Sequence, residues 1–69
     1  MNNVSKVIEV VGTSERGLED AIRGAIARAS NTVQNLQWFE VREIRGALNG
    51  SNVERFQVML KIGFGLNDE

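Results

Sequence analysis

One stretch of this chain leaves little freedom in how it can fold. From Phe56 to Leu66, apolar residues fall at every second position: Phe56, Val58, Leu60, Ile62, Phe64 and Leu66. Arg55 precedes them, and Gln57, Met59, Lys61, Gly63 and Gly65 occupy the positions between them. A period of two puts the first set on one face of a β-strand and the second set on the other. The strand is predicted over about Asn52–Leu66, and its apolar row needs a cover. Just before it stands Asn49-Gly50, the strongest short hairpin signal in the chain. The segment Gln37–Leu48 upstream reads as the partner strand. Strict alternation puts Phe39 and Val41 on one of its faces and Trp38, Glu40, Arg42 and Ile44 on the other.

The cover comes from the N-terminal half. Val4–Val11 is rich in β-branched residues and reads as a first strand. Gly12 then permits a turn, and Thr13 or Ser14 can cap a helix whose first turn carries Glu15. From Glu15 to about Asn31, Leu18, Ile22, Ala25, Ile26, Ala29 and Val33 fall on one helical face. Gly17, Ala21 and Gly24 form a small-residue flank, read either as a close approach of another backbone or as tolerated surface glycine. Asn31–Asn35 breaks the helix, and the tail Asn67-Asp68-Glu69 is expected to fray. The order is β-α-β-β, an α+β fold. One helix packs on a three-stranded antiparallel sheet and receives Phe39, Val41 and the even-numbered row of the last strand. The second and third strands outrun a helix of about five turns.

The 69 residues suffice for a single domain, 1–69, without internal repeats or linkers. A core of this size seldom supplies more than about 3–5 kcal/mol. The chain has no Cys and no His, so disulfides, most zinc sites, thiol nucleophiles and the usual general base are excluded. Association with other copies is then the expected source of stability. Eight Lys+Arg against nine Asp+Glu argue against a phosphate-backbone surface. No apolar run approaches the ~18 residues of a membrane span, and Met1–Lys6 lacks the apolar stretch of a signal peptide. A cytoplasmic protein without nucleic-acid or membrane partners is expected.

Three residues stand out as candidate site residues. Trp38, the only Trp, falls on the face away from the helix, as does Gln57. A Trp there needs a cover. It packs a subunit interface, or it is a stacking platform for a flat ligand whose C=O and N–H groups meet the Gln57 amide. Arg45, close to the hairpin, breaks the inward alternation after Phe39 and Val41. It reads as a solvated strand end, or as a guanidinium that stacks on an aromatic ring or holds a phosphate. Glu40, Arg42 and Glu43 read as surface charges or inter-subunit pairs, and Lys61 as part of an ion pair or, less favoured, as a cation for an anionic ligand. No catalytic or metal-ligand constellation is present.

Four stretches, in this order and spacing, resemble the dodecins, small flavin-binding proteins. They are Val10-Val11-Gly12-Thr13-Ser14; Ala25-Ile26-Ala27-Arg28-Ala29; Trp38-Phe39-Glu40-Val41 followed by Glu43-Ile44-Arg45-Gly46; and Phe56-Gln57-Val58 with Leu60-Lys61-Ile62-Gly63-Phe64. The likeness spans roughly Val7 to Leu66. It implies a hollow dodecamer and a flavin-storing role without catalysis. Two isoalloxazine rings would stack between symmetry-related copies of Trp38, with Gln57 on the polar edge of the ring and Arg45 near it. The bacterial-type motifs imply flavin mononucleotide (FMN) as the main ligand, over riboflavin or lumichrome. Bacterial relatives often carry a basic residue where this chain has Gly65, and some also bind coenzyme A. Gly65 removes one cationic partner for its phosphates, so that site is not carried over. The rival readings are a structural oligomer in which Trp38 only packs an interface and, ranked lowest, a flavoenzyme.

Overall fold

The structure is a computed structural model that describes residues 4–66; the tail expected to fray lies outside them. Its elements are β1 (Ser5–Ser14), α1 (Leu18–Ala29), β2 (Leu36–Asn49) and β3 (Asn52–Gly65). The expected β-α-β-β order and the three-stranded antiparallel sheet are present. β3 lies in the middle, in the order β1-β3-β2. The strand with the cleanest alternation is therefore the one paired along both edges. Its even-numbered row forms the centre of the core: Val58, Leu60 and Ile62 are fully buried. The hairpin forms at the expected place. Asn49 pairs with Asn52, and Gly50 takes the first of the two loop positions with φ +64, the conformation glycine supplies without steric cost.

β1 continues through Ser14, three residues beyond the expected end, and the helix begins at Leu18 rather than Glu15. The reason is Ser14 itself. Paired with Phe56 at the strand end, it is buried, and its Oγ accepts hydrogen bonds from the backbone N–H groups of Arg16 (2.9 Å) and Gly17 (3.3 Å). The same Oγ donates to Asp20 Oδ2 at 2.8 Å. Ser14 thus holds the turn and the first helical turn together from outside the helix. The N-cap position belongs to Gly17, which makes no side-chain capping bond.

The helix seat differs from expectation. α1 packs over β1 and β3, and not over β2. Gly12 sets the approach. A Cβ at that position would collide with the backbone carbonyl of Ala21 and lie 2.9 Å from the Ala25 Cβ. The close approach anticipated for the small helical flank therefore occurs at Ala21, which is 1% exposed. Gly17 and Gly24 have nothing near them in this chain. With the helix drawn toward β1, the inner face of β2 is left uncovered beyond Leu36, which still packs against the core. Phe39, expected under the helix, is 49% exposed, and Val41 is exposed too. Between Phe39 and the helical residues Leu18, Ile22 and Ile26 runs an apolar groove of about 450 Å³.

The subunit measures 54 × 19 × 13 Å. A 12-residue helix spans about 18 Å, so the hairpin arm extends well past it. Val4, Val7, Val11, Trp38, Phe39, Val41, Ile44, Leu48, Val53 and Leu66 are all exposed large hydrophobics. That apolar surface is out of scale with a buried core of Ala21, Ala29, Val58, Leu60 and Ile62.

Candidate functional site

The sheet face away from the helix is organised in rungs by the strand pairing. Val7, Gly63 and Trp38 form the first. Glu9, Lys61 and Glu40 form the second, Val11, Met59 and Glu43 the third, and Thr13, Gln57 and Arg45 the fourth. Trp38, Gln57 and Arg45 therefore share one face. For Arg45 this corrects the sequence expectation, which placed it in line with Phe39 and Val41. The cause is a β-bulge. The register shifts between Val41 and Glu43, leaving Arg42 as an extra residue. A single inserted residue exchanges the faces of everything beyond it. Arg45 moves onto the open face opposite Gln57, and Ile44, expected beside Trp38, moves to the helix side opposite Val58.

Trp38 rests on Gly63. A Cβ built on Gly63 would overlap the indole atoms Cε2, Cζ2 and Nε1, with Cε2 the nearest. Cε2 is bonded to the other two, so the ring approaches Gly63 with its face. The other side remains open enough to leave the residue 45% exposed. Strand periodicity flagged Trp38 and not Gly63. The available signal was a glycine interrupting the side-chain row of an otherwise regular strand. A second shift, between Leu36 and Trp38, leaves Gln37 as an extra residue. The Gln37 Nε2 lies 2.9 Å from where a Gly65 Cβ would stand, so Gln37 occupies the space over Gly65.

At the other end of the face, Arg45 donates from Nη2 to Glu43 Oε1 at 3.0 Å. Val11, Glu43, Arg45, Gln57 and Met59 enclose a small niche there. Gln57 is half-buried in it. Both members of the ion pair are more than half exposed, so the pair orients Arg45 more than it stabilises the fold.

The two ends do not meet within one chain. Trp38 pairs with Gly63 and Arg45 with Gln57. The six residue steps along β3 from Gln57 to Gly63 span about 20 Å. The structure brings Arg45 and Gln57 together and holds Trp38 apart from them. A flavin-sized ring is too short to touch both ends of one chain. Among the described residues there is no cluster of carboxylates suited to a metal ion, and no helix is long and apolar enough to cross a membrane.

Fold and site together define a small β-α-β-β subunit whose Trp38 indole and Gln57 amide lie on a sheet face left open. The Dodecin family model matches residues 4–67. A dodecin from Thermus thermophilus is 52% identical over 68 residues, 99% of each chain. The crystal structure of a Thermus thermophilus protein superposes with a TM-score of 0.92 at 50% identity, covering 99% of this chain and 100% of its own. A dodecin from Streptomyces davaonensis gives 0.91 at 47% identity, with 99% and 100% covered. The chain belongs to the dodecin family. The family consists of small flavin-binding proteins that act without catalysis, and its members are multimers of small subunits.

Proposed function

We propose that this protein stores, buffers and photoprotects flavin, with FMN as the main ligand, inside a hollow dodecamer. The flavins bind as stacked pairs between copies of Trp38 at subunit interfaces. The observation that carries this reading is Trp38 itself: one face of its indole lies on Gly63 and the residue is 45% exposed. An aromatic ring held that way is a stacking surface. Gln57 supplies an amide that both donates and accepts, as the polar edge of an isoalloxazine ring requires. Arg45 lies beside it, where a guanidinium can stack on the ring or take a phosphate.

The 20 Å or so between the two ends of the face fits a site shared by chains. In a two-fold interface, Trp38 of one chain faces the Gln57 end of the other, and the relation is reciprocal. Such a site is incomplete in the monomer, which is consistent with the amount of exposed apolar surface. The proposed protective step is electron transfer between the stacked indole and the excited flavin, which returns the flavin to its ground state before photochemistry proceeds. Gln57 sets ring orientation, and the closed shell limits water. Coenzyme A is not included, because Gly65 offers no cation for its phosphates and Gln37 fills the space above it.

The test is a fluorescence titration of FMN into ligand-free protein, with size-exclusion chromatography alongside. Saturable quenching of both FMN and Trp38 in a large particle, stoichiometric with the chain, is the expected result. A correctly sized particle without quenching would reduce Trp38 to an interface residue.

A further inference from the structure

We infer that Gly63 is a positioning residue for Trp38: its bare Cα is the seat that fixes the height and tilt of the stacking indole. The inference rests on the flavin-stacking reading for its binding consequences, but its structural part can be tested without any flavin.

Gly63 stands in the centre of β3, paired with Val7 on one side and Trp38 on the other. Glycine is a poor choice for a strand interior, since it brings no side chain to pack and loses more entropy on folding. Its φ lies outside the left-handed region, where Gly50 is the only glycine among the described residues. Backbone geometry therefore does not require glycine here. The requirement comes from what lies above it. A Cβ would fall among Cε2, Cζ2 and Nε1 of the indole, and no backbone atom is among its three nearest neighbours. At Gly12, by contrast, the nearest obstacle is the Ala21 carbonyl, which belongs to the fold itself. The space kept free at Gly63 serves the position of one side chain.

That position has two consequences. An indole pressed face-down against the sheet can stack a ligand only on its outer face. Its height above the sheet also sets the gap left between two facing copies of the residue. A methyl group at Gly63 would lift or swing the indole into that gap. Stacking is sensitive to ring offset and separation, so the same Trp, displaced, would bind less tightly and quench less.

The experiment compares Gly63→Ala, Trp38→Ala and the double variant with the wild-type protein. Particle size, near-ultraviolet circular dichroism of Trp38, thermal midpoint and FMN titration are measured for each. Gly63→Ala is expected to keep the β-sheet spectrum and the large particle while changing the Trp38 near-ultraviolet signal. It should weaken FMN binding by about tenfold or more and restore part of the bound flavin's emission, the scale of losing a well-placed contact. In the Trp38→Ala background the same substitution should leave the thermal midpoint nearly unchanged, since the group it collides with is gone. A midpoint that falls equally in both backgrounds would show that Gly63 serves the strand backbone and would overturn the inference. So would an unaltered Trp38 signal in the single variant. Should wild-type protein fail to bind FMN, the stacking reading fails, while the circular dichroism and the thermal cycle still decide the role of Gly63.

Discussion

Arg45 and Gln57 are direct partners across β2 and β3, and they face the same side only because Arg42 is an extra residue in β2. The guanidinium and the amide thereby occupy one niche, with Glu43 holding Arg45 in place at 3.0 Å. If Arg45 serves a flavin phosphate, Arg45→Ala should weaken FMN by about tenfold, the scale of a charge-assisted hydrogen bond, and riboflavin by much less. Parallel titrations of the two flavins measure this. Equal losses would assign Arg45 to the ring and not to the phosphate.

Deleting Arg42 is a sharper test of the bulge. Removal of the extra residue lets Glu43, Ile44 and Arg45 follow Val41 in simple alternation at their present partners, Met59, Val58 and Gln57, so Arg45 stays on the open face. Retained FMN binding in a variant that keeps its sheet spectrum is the expected outcome, and loss of binding would show that the bulge itself, beyond the face it gives Arg45, is needed. Arg42→Ala, which keeps the bulge, should bind FMN nearly as wild type does.

Trp38→Ala should lower flavin affinity and leave the remaining bound flavin bright, because the proposed mechanism makes one ring both the stacking partner and the electron donor. Steady-state emission of FMN at saturating protein reads both effects. A variant that binds as tightly and stays as dark as wild type would refute the protective mechanism.

Two substitutions away from the open face should act on stability. Gly12→Ala drives a methyl group into the Ala21 carbonyl and toward the Ala25 Cβ, so the helix must move. A loss of about 1–3 kcal/mol is expected for such overpacking. Ser14→Ala removes the acceptor for two backbone N–H groups and the hydrogen bond to Asp20, with an expected cost of about 1 kcal/mol. Denaturant melts at fixed chain concentration check both.

Stability should also depend on chain concentration. A core of five buried residues beside so many exposed hydrophobics leaves an isolated subunit marginal, and partners that bind only the folded chain raise the melting point by mass action. Melting curves over a dilution series should shift to lower temperature on dilution. Curves that superimpose would mean that the subunit is stable alone.

Local chemistry along the chain was enough to establish the order and type of the elements, the hairpin at Asn49-Gly50 and the buried row of β3. Each depends on a period or a turn preference carried by neighbouring residues. The open-face placement of Trp38 and Gln57 followed from the same parity. What pairing and packing decided was of another kind. The bulge at Arg42 exists only when β2 is set against β3, so the faces of Ile44 and Arg45 could not be read from β2 alone. The helix leans toward β1 because Gly12 admits Ala21, a fit between segments far apart in sequence, and that tilt leaves Phe39 and Val41 uncovered. Gly63 became meaningful only once Trp38 was placed above it. Periodicity tells a residue which way it faces, but only contact between distant segments determines what it meets there.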